Sequence, residues 1–537
     1  MGRLITNAKV YVEREKFAQA VYMEDGVIKA VGTNEEVLAV APAGTPQYDA
    51  GGRTVVPGFN DSHMHLYFVG ENLESIDLHG VTSMTEAKQI ARDFIARTKP
   101  APGTVLHGTG WNQDYFTDEP RMMDRHDLDE ITTEYPLILE RACGHALTAN
   151  SLAIQLAGVT KDTPQPEGAQ FDVDENGEPN GIFRETAANL VMGLRRDPTV
   201  EEIEHTLHTA MEHAAEWGIT SVQTMDVRPG AYRDMLQAYH NIQSTHPTLR
   251  VYHQCNFMAP NEYREFLEQG YITGSGDAFN KIGPLKLFVD GSLGARTALM
   301  RAPYADDPST TGIQTLTQQQ TDELVQIADA AGCQVAVHAI GDAAIEQVLN
   351  SYDTVCGDGE NPHRHGIVHC QITDRALVER FTQNDILAYI QPIFLHYDMT
   401  VLESRVGKEL AATSYAFATM NRLGIHNSFG TDSPVEDLNT MHNIYCAVTR
   451  KNLTGTPSGG FYPDECVDVY DAVDAYTAAS AYASFEEDVK GRIRPGYYAD
   501  LAVLSEDIFT IDPERIKDVK VDATILAGEF VYQRKDV

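Results

Sequence analysis

The sequence predicts a (β/α)8 TIM-like barrel, with a small β-sandwich domain built from both termini and an inserted subdomain after the first barrel strand. Three observations predict this fold class. Short apolar segments of strand type recur through the middle of the chain, and amphipathic helical segments separate most of them. Both ends of the chain instead hold short strands joined by turns. Residues 72–200 interrupt the alternation, because they are far too many for one helical crossover.

The length and composition are typical of one large domain with smaller additional domains. The chain has 537 residues, of which 42% are hydrophobic and 22% charged, so it can bury a large core. We assign residues 1–56 and 490–537 to the small β domain, 57–71 and 201–489 to the barrel, and 72–200 to the inserted subdomain. Loops after barrel strands lie on the catalytic face, so we expect the insertion to cover the site.

The two termini show strand and turn signals. Residues 21–32 indicate two strands around a turn at Asp25 and Gly26, a strong hairpin signal. Residues 499–504 and 523–532 are typical of strands near the other end. Because chain termini often lie close together, one domain can be built from both.

Eight apolar segments are the predicted barrel strands. Their near-continuous apolar character indicates a parallel sheet whose two faces are both covered, and eight such units favour a barrel over a doubly wound sheet. Helical segments at 201–217, 318–331 and 374–382 alternate with them. In chain order the predicted strands are 54–57, 219–224, 250–254, 284–289, 334–338, 366–369, 386–391 and 427–430.

The charge and the cysteines exclude several classes of protein. A formal net charge of −37 argues against nucleic-acid binding and against binding to anionic membrane surfaces. The seven cysteines are scattered and form no C-x-x-C pair, so we expect neither a disulfide framework nor a structural zinc knuckle. No apolar run approaches membrane-spanning length, and we expect a cytoplasmic enzyme.

Two histidines at the end of the first apolar segment are the first candidate metal ligands. His63 and His65 are two residues apart, and in an extended strand such residues point to one face, so both imidazoles can reach one ion. Asp61 continues the same row. Because the chain contains 19 histidines, a chance pair is an alternative for these two alone.

The same pattern then recurs along the chain. His338 and His369 end two later apolar segments, Asp432 follows a third, and Lys286 lies inside another. Each has an ordinary alternative: a hydrogen-bonded structural histidine, a lysine that reaches water, or an aspartate that caps a turn. The carboxyl ends of barrel strands converge on a single site, however, and the set as a whole indicates a metal centre there.

The order of these ligand types resembles the amidohydrolase superfamily. In that superfamily the first barrel strand carries His-x-His, the fourth a lysine, the fifth and sixth a histidine each, and the eighth an aspartate. A closer resemblance is to its YtcJ-like branch, the amidohydrolase 3 family. The stretches that carry it are KLFVDGSLGARTA at 286–298, HAIGD at 338–342, TDSPV at 431–435, AVTR at 447–450 and GYYADL at 496–501.

The resemblance implies a cofactor and roles for the six residues. It implies two zinc ions per chain, one held by His63 and His65 and the other by His338 and His369. A carboxylated Lys286 would bridge the two ions. Asp432 would contact the first ion and act as general base toward the attacking water. One ion beside an unmodified lysine is the alternative.

The same resemblance implies the type of reaction. We expect hydrolysis of a carbon–nitrogen bond other than a peptide bond, of the N-acyl or N-formyl amine type, in a small-molecule substrate. We also expect a homodimer. A mononuclear deaminase is one alternative, although Lys286 argues against it. A catalytically silent binding or regulatory protein is another, although all six expected ligand positions are filled.

Four residues are candidates for substrate contacts. Trp111 and Tyr115 come from the insertion, where an aromatic residue can equally belong to the subdomain core. His145 follows Cys143 and Gly144, a departure from the family pattern that bears on the substrate pocket. Arg296 follows the fourth barrel strand and suits a carboxylate, or else a structural salt bridge.

Overall fold

A computed structural model of the protein describes residues 2–142, 146–166, 169–357 and 359–535. The chain divides into two compact units. One unit contains Met1–Tyr67 and Ile203–Val537, and the other contains Phe68–Glu202. Among the described residues, no helix is both long enough and apolar enough to span a bilayer.

The strands are short. In chain order, the described strands are β1 (Arg3–Thr6), β2 (Lys9–Glu13), β3 (Lys16–Ala18), β4 (Ala20–Glu24), β5 (Val27–Gly32), β6 (Gln47–Asp49), β7 (Thr54–Pro57), β8 (Phe59–Met64), β9 (Ile76–Asp77), β10 (Leu106–Trp111), β11 (Leu137–Arg141), β12 (Ala146–Ala149), β13 (Gln170–Val173), β14 (Pro179–Arg184), β15 (Ile219–Val227), β16 (Arg250–Asn256), β17 (Asn280–Phe288), β18 (Val335–Ala339), β19 (Gly366–His369), β20 (Leu387–Ile390), β21 (Asn427–Phe429), β22 (Leu501–Leu504), β23 (Val521–Leu526) and β24 (Glu529–Gln533).

The helices vary more in length. In chain order, the described α-helices are α1 (Asn34–Val40), α2 (Leu66–Leu73), α3 (Met84–Thr98), α4 (Arg125–Asp129), α5 (Ser151–Leu156), α6 (Asn189–Met192), α7 (Val200–Glu216), α8 (Tyr232–Thr245), α9 (Pro260–Glu268), α10 (Gln318–Ala330), α11 (Asp342–Tyr352), α12 (Arg375–Phe381), α13 (Leu395–Asp398), α14 (Leu402–Val406), α15 (Lys408–Ala411), α16 (Phe417–Arg422), α17 (Thr440–Thr449), α18 (Val469–Ala475) and α19 (Ala478–Ala483).

The barrel sheet has eight strands, and each neighbouring pair in it is parallel. Its order is β8, then β15 through β21, and we call these barrel strands one to eight. The sheet is nearly closed, because the backbone N–H of Asp432, just beyond strand eight, donates to the carbonyl of His63 in strand one at 2.8 Å. The predicted TIM-like barrel is confirmed at this level.

One predicted barrel strand is wrong. Thr54–Pro57 joins a terminal sheet, where it pairs antiparallel with β22 and parallel with β2. Barrel strand one begins after Gly58, at Phe59. A Cβ on Gly58 would lie 2.1 Å from Thr220 Oγ1, so the chain passes from sheet to barrel where no side chain fits. The apolar pattern continues across this glycine and does not reveal the change of sheet.

The remaining sheet strands of the first unit come from both termini. They form a four-stranded sheet in the order β5-β4-β1-β6 and a six-stranded sheet in the order β24-β23-β22-β7-β2-β3. One cluster of buried side chains contains residues of both sheets, among them Val21 and Val503. The predicted single segment 523–532 is in fact two strands, because Ala527 and Gly528 turn the chain with positive φ angles.

The second unit has a six-stranded sheet of its own. The order is β13-β14-β12-β11-β10-β9, with parallel pairing among β9, β10 and β11 and antiparallel pairing among the other strands. Two clusters of buried side chains lie within this unit, one around Trp111 and Leu139 and the other around Phe171 and Phe183. The insertion therefore has enough apolar residues to build its own core.

Candidate metal centre

The carboxyl ends of the barrel strands bring three predicted ligands together. His63 is the next-to-last residue of strand one, and His369 is the last residue of strand six. Asp432 lies just beyond strand eight. One candidate ligand atom from each lies within 4.8 Å of the other two, and all three side chains are buried. Parallel strands of a barrel end on one face, which is why residues far apart in sequence meet here.

Asp432 also contacts the second histidine of the first pair. His65 directly follows strand one, and its Nε2 lies 3.0 Å from Asp432 Oδ1. The same carboxylate oxygen lies 3.3 Å from His63 Nε2. One oxygen therefore faces both imidazoles of the His-x-His pair.

Lys286 lies inside barrel strand four with no exposed surface. Its Nζ has no hydrogen-bond partner in the part of the chain that the structure describes, and it lies 4.0 Å from the centre of the Phe288 ring. Burial lowers the pKa of this amine from 10.5 to about 7. A buried amine without a partner lowers the stability of the fold. Lys286 at this position therefore indicates a functional role rather than a stabilising one.

His338, in barrel strand five, lies beside His369, with ring centres 4.5 Å apart. Its Nε2 lies 3.1 Å from the carbonyl of Gly291. A carbonyl only accepts, so Nε2 carries a proton. The adjacent Asp290 carboxylate accepts from the backbone N–H groups of Ile340 and Gly341, which ties the loop after strand four to the loop after strand five.

The electrostatics favour neutral imidazoles beside an ionised carboxylate. Burial, assisted by the Lys286 charge, lowers the pKa of His63 from 6.5 to about 4. Burial and the neighbouring His338 hold the pKa of His369 well below its usual range. Burial alone would raise the pKa of Asp432, but its contacts with the imidazoles outweigh burial and keep that pKa well below its usual range.

This donor set fits a divalent metal ion. Neutral imidazole nitrogens with free lone pairs and an ionised carboxylate oxygen are the ligands that zinc accepts in proteins. The unpartnered amine of Lys286 interacts electrostatically with His63, His369 and Asp432, and it is the group to which the resemblance assigns a carbamate. The fit rests on the donors themselves and on this orphaned nitrogen.

Two glutamines that the sequence did not single out contact the histidines. Gln254 Oε1 lies 2.6 Å from His63 Nδ1, and Gln391 Oε1 lies 2.8 Å from His369 Nδ1. Gln254 belongs to barrel strand three, and Gln391 directly follows strand seven. Each glutamine ends a predicted strand, 250–254 or 386–391, but no local pattern indicates its contact with a histidine.

Barrel strand two holds the chain that follows the His-x-His pair. Thr224 Oγ1 accepts from the backbone N–H of Leu66 at 2.8 Å, and Asp226 accepts from the N–H of Tyr67 at 3.2 Å.

Asp61, in strand one, accepts from the N–H and hydroxyl of Thr431, next to Asp432. Burial raises the pKa of Asp61 to about 7, although the bonds from Thr431 oppose this shift.

The backbone is strained at two of the predicted ligand positions. His369 has φ 82° and Asp432 has φ 57°, both in the left-handed region that residues other than glycine seldom adopt. Cys370, next to His369, has φ 49°. Such strain persists where the surrounding structure enforces it, and it concentrates at functional sites.

The predicted substrate contacts are less well supported. Trp111 is corrected, because its side chain is fully buried in the core of the second unit and its indole N–H donates to the carbonyl of Leu139 at 3.0 Å. Arg296 forms the alternative salt bridge, with Asp306 at 2.9 Å. Tyr115 is 64% exposed and stays a prediction. His145 lies outside the described residues.

Comparisons with known proteins extend over nearly the whole chain. A model of the amidohydrolase family matches residues 47–532. The chain is 33% identical over 524 residues to the protein named amidohydrolase YtcJ of Bacillus subtilis, with 96% of each chain covered. It is 26% identical over 551 residues to the N-substituted formamide deformylase of Arthrobacter pascens, with 99% of this chain and 98% of that protein covered.

A solved structure agrees with these matches. The crystal structure of an uncharacterized metal-dependent hydrolase from Pyrococcus horikoshii has a TM-score of 0.78 and 27% sequence identity, with 96% of this chain and 99% of that chain covered. The structural match and the sequence matches therefore both extend over nearly the whole chain. The chain belongs to the amidohydrolase family, and it is an amidohydrolase-type enzyme, a hydrolase of carbon–nitrogen bonds other than peptide bonds.

Proposed function

We propose that this enzyme hydrolyses an N-acyl or N-formyl amine by means of zinc-activated water. The observation that carries the proposal is the meeting of His63, His369 and Asp432 at the carboxyl ends of three barrel strands. His65 and His338 lie directly beside them. In this proposal His63 and His65 hold one ion and His338 and His369 the other.

The chemistry divides between the ions and the chain. Bound divalent ions lower the pKa of water and polarise a substrate carbonyl. The chain supplies the base: Asp432 stays ionised at neutral pH and lies within contact of both histidines of the first pair. Its carboxylate accepts a proton from the attacking water and returns it to the leaving amine. No covalent bond forms between enzyme and substrate.

Lys286 decides the number of ions in this proposal. At neutral pH its lowered pKa leaves a large fraction of the amine uncharged, and the uncharged amine is the form that reacts with carbon dioxide. A carbamate on Lys286 would supply two oxygen ligands for bound ions, whereas an ammonium would repel them. Metal analysis with intact mass under non-denaturing conditions tests this. One ion per chain and no added carbon dioxide would contradict the bridged pair.

The family and one relative support the proposed substrate class. The N-substituted formamide deformylase of Arthrobacter pascens is, by its name, an enzyme that acts on formamides, and its match covers 99% of this chain. Formamides and other N-acyl amines present a carbonyl that two ions can polarise and an amine that Asp432 can protonate. A small-molecule substrate of this kind suits a site built from buried strand ends.

We also propose the domain plan that the sequence predicts. The shared core of the two terminal sheets supports a small β-sandwich, formed by 1–56 and 490–537. The barrel then comprises 57–71 and 201–489. The insertion 72–200 lies within the compact unit Phe68–Glu202, and this supports treating it as a separate subdomain.

The experiment that tests the reaction is a substrate panel. Purified, zinc-loaded protein is offered amides, formamides and lactones, and released amine is measured. Release of an amine identifies the bond class. Turnover of lactones alone would contradict the proposal, and so would the absence of turnover throughout the panel.

Asp432→Asn tests the base directly. We expect a fall in kcat of about 10²–10⁴-fold, because the amide cannot accept a proton. Asp437→Asn is the matched control, since Asp437 lies on the same loop and pairs with His442. An Asp432→Asn variant with the activity of the parent would show that another group is the base.

A further inference from the structure

We propose that Gln254 and Gln391 are positioning residues that fix the tautomer of His63 and His369. They do so with neutral amides in place of the carboxylate or backbone carbonyl that often supports a metal-binding histidine. This inference rests on the proposed metal centre. It assigns a role to two barrel strands that carry none of the six predicted ligands.

The Gln254 amide is held in one orientation. Its Nε2 donates to the carbonyl of Ser62 at 3.0 Å, so its Oε1 must be the atom that faces His63 Nδ1 at 2.6 Å. An amide oxygen only accepts, and His63 Nδ1 therefore carries the proton. In the neutral ring the lone pair is then on Nε2, which lies 3.3 Å from Asp432, and the hydrogen bond to that carboxylate comes from His65 Nε2 at 3.0 Å.

The Gln391 amide, just after barrel strand seven, makes the same arrangement with His369. Its Nε2 donates to the carbonyl of Tyr389 at 3.2 Å, and its Oε1 lies 2.8 Å from His369 Nδ1. His369 Nε2 is again the nitrogen left with a lone pair. Both glutamines are buried, so water does not compete for these bonds.

The neutral charge of the amide has a chemical consequence. A carboxylate at either position would add negative charge beside Asp432 and would make the imidazole a stronger donor to a bound ion. An amide orients the ring just as well but adds no charge. A bound ion would therefore keep more of its positive charge, which it would need to polarise a substrate carbonyl.

The first test measures zinc binding. Gln254→Met and Gln391→Met keep the approximate size of the side chain but remove the acceptor. We expect each to lower zinc affinity by about 10–100-fold, measured by competition with a chelator, because the ring is then free to adopt the wrong tautomer. No substrate is needed for this measurement.

Gln223→Met is the matched control. Gln223 is also buried in a barrel strand, and its Nε2 donates to the backbone carbonyl of Ser480 at 2.9 Å, with no histidine partner among the described residues. Its loss should lower the melting temperature as much as the other two substitutions do, yet leave zinc affinity unchanged. An equal loss of zinc in all three variants would reduce the effect to general destabilisation and overturn the proposal.

A conservative variant and a spectroscopic measurement complete the test. Gln254→Glu keeps an acceptor for His63 Nδ1, so it should bind zinc more tightly than Gln254→Met. Histidine nitrogen shifts in isotope-labelled, metal-free protein report the tautomer, and both Met variants should lose the Nδ1-protonated form of one ring. Unchanged histidine nitrogen shifts in the metal-free Met variants would overturn the proposal, whatever their zinc affinity is.

Failure of the metal centre and failure of this inference give different results. If the parent protein binds no zinc, the proposed centre is wrong, and the glutamines position no metal ligands. If the parent binds zinc and both Met variants bind it equally well with unchanged tautomers, the centre stands and the positioning role is wrong.

Discussion

At the scale of the residue, Lys286 shows a conflict between stability and function. Its amine is buried without a hydrogen-bond partner within the described residues, which lowers the stability of the metal-free protein. Lys281 lies on the same strand five residues earlier, but its amine pairs with Glu486 at 2.7 Å. Two lysines of one strand therefore have opposite energetic roles.

We predict that Lys286→Met stabilises the metal-free protein by about 1–3 kcal/mol, because it removes an unpaired buried polar group. The same change should abolish the binding of a second ion. Urea unfolding measures the first effect and metal analysis the second. Lys281→Met is the control and should destabilise, since it leaves Glu486 without one of its partners. A less stable Lys286→Met protein would contradict the argument.

At the scale of the element, all eight barrel strands contribute residues to the proposed centre. Strands one, four, five, six and eight supply the predicted ligands, strands three and seven supply the two glutamines, and strand two holds the backbone after His65. The histidines, the lysine and the aspartate stand out in the sequence. The glutamines and threonines do not, because their role depends on neighbours that only the closed sheet provides.

The closure between strands eight and one depends on Gly430. A Cβ at this position would lie 2.6 Å from the backbone nitrogen of His63 and 2.9 Å from Asp61 Oδ1. We predict that Gly430→Ala destabilises the protein by about 1–3 kcal/mol and weakens zinc binding, because strand one must move away. Thermal unfolding and zinc titration measure the two effects.

Gly294→Ala is the matched control for this substitution. Gly294 is exposed, and a Cβ there would meet nothing within 4 Å. It should leave both stability and zinc binding unchanged. If Gly430→Ala also binds zinc as the parent does, the close approach of the two strands does not control the centre.

At the scale of the whole molecule, a buried charge network links barrel strands two and four to the segment before the C-terminal strands. Glu486 pairs with Lys490 and Lys281, and Lys490 also donates to Ser221 at 2.7 Å. Burial alone would raise the pKa of Glu486, but the two ammonium groups outweigh it and lower the pKa from 4.5 to about 2.

This shift predicts how stability depends on pH. Glu486 binds its proton more weakly in the folded protein, so its contribution is fully present above about pH 4.5 and is lost as the pH falls toward 2. Glu486→Gln should remove this part of the pH dependence and cost about 3–5 kcal/mol at neutral pH, because Lys490 stays buried without its anion. Urea unfolding at several pH values measures both, and a variant with the parent's pH profile would contradict the assignment.

Local chemistry was enough to predict much of this protein from its sequence. Strand and helix periods, and the order of His63, His65, Lys286, His338 and His369 along the strands, are properties of short segments, and they predict the barrel and its ligand-bearing face.

Tertiary structure decided the rest. Thr54–Pro57 is as apolar as a barrel strand, yet its partners place it in a terminal sheet. Trp111 looks like a pocket residue until the core around it is seen. Gln254 and Gln391 are ordinary strand residues until the barrel brings them to His63 and His369. In each case the deciding contact joins residues distant in sequence, and no local pattern contains that information.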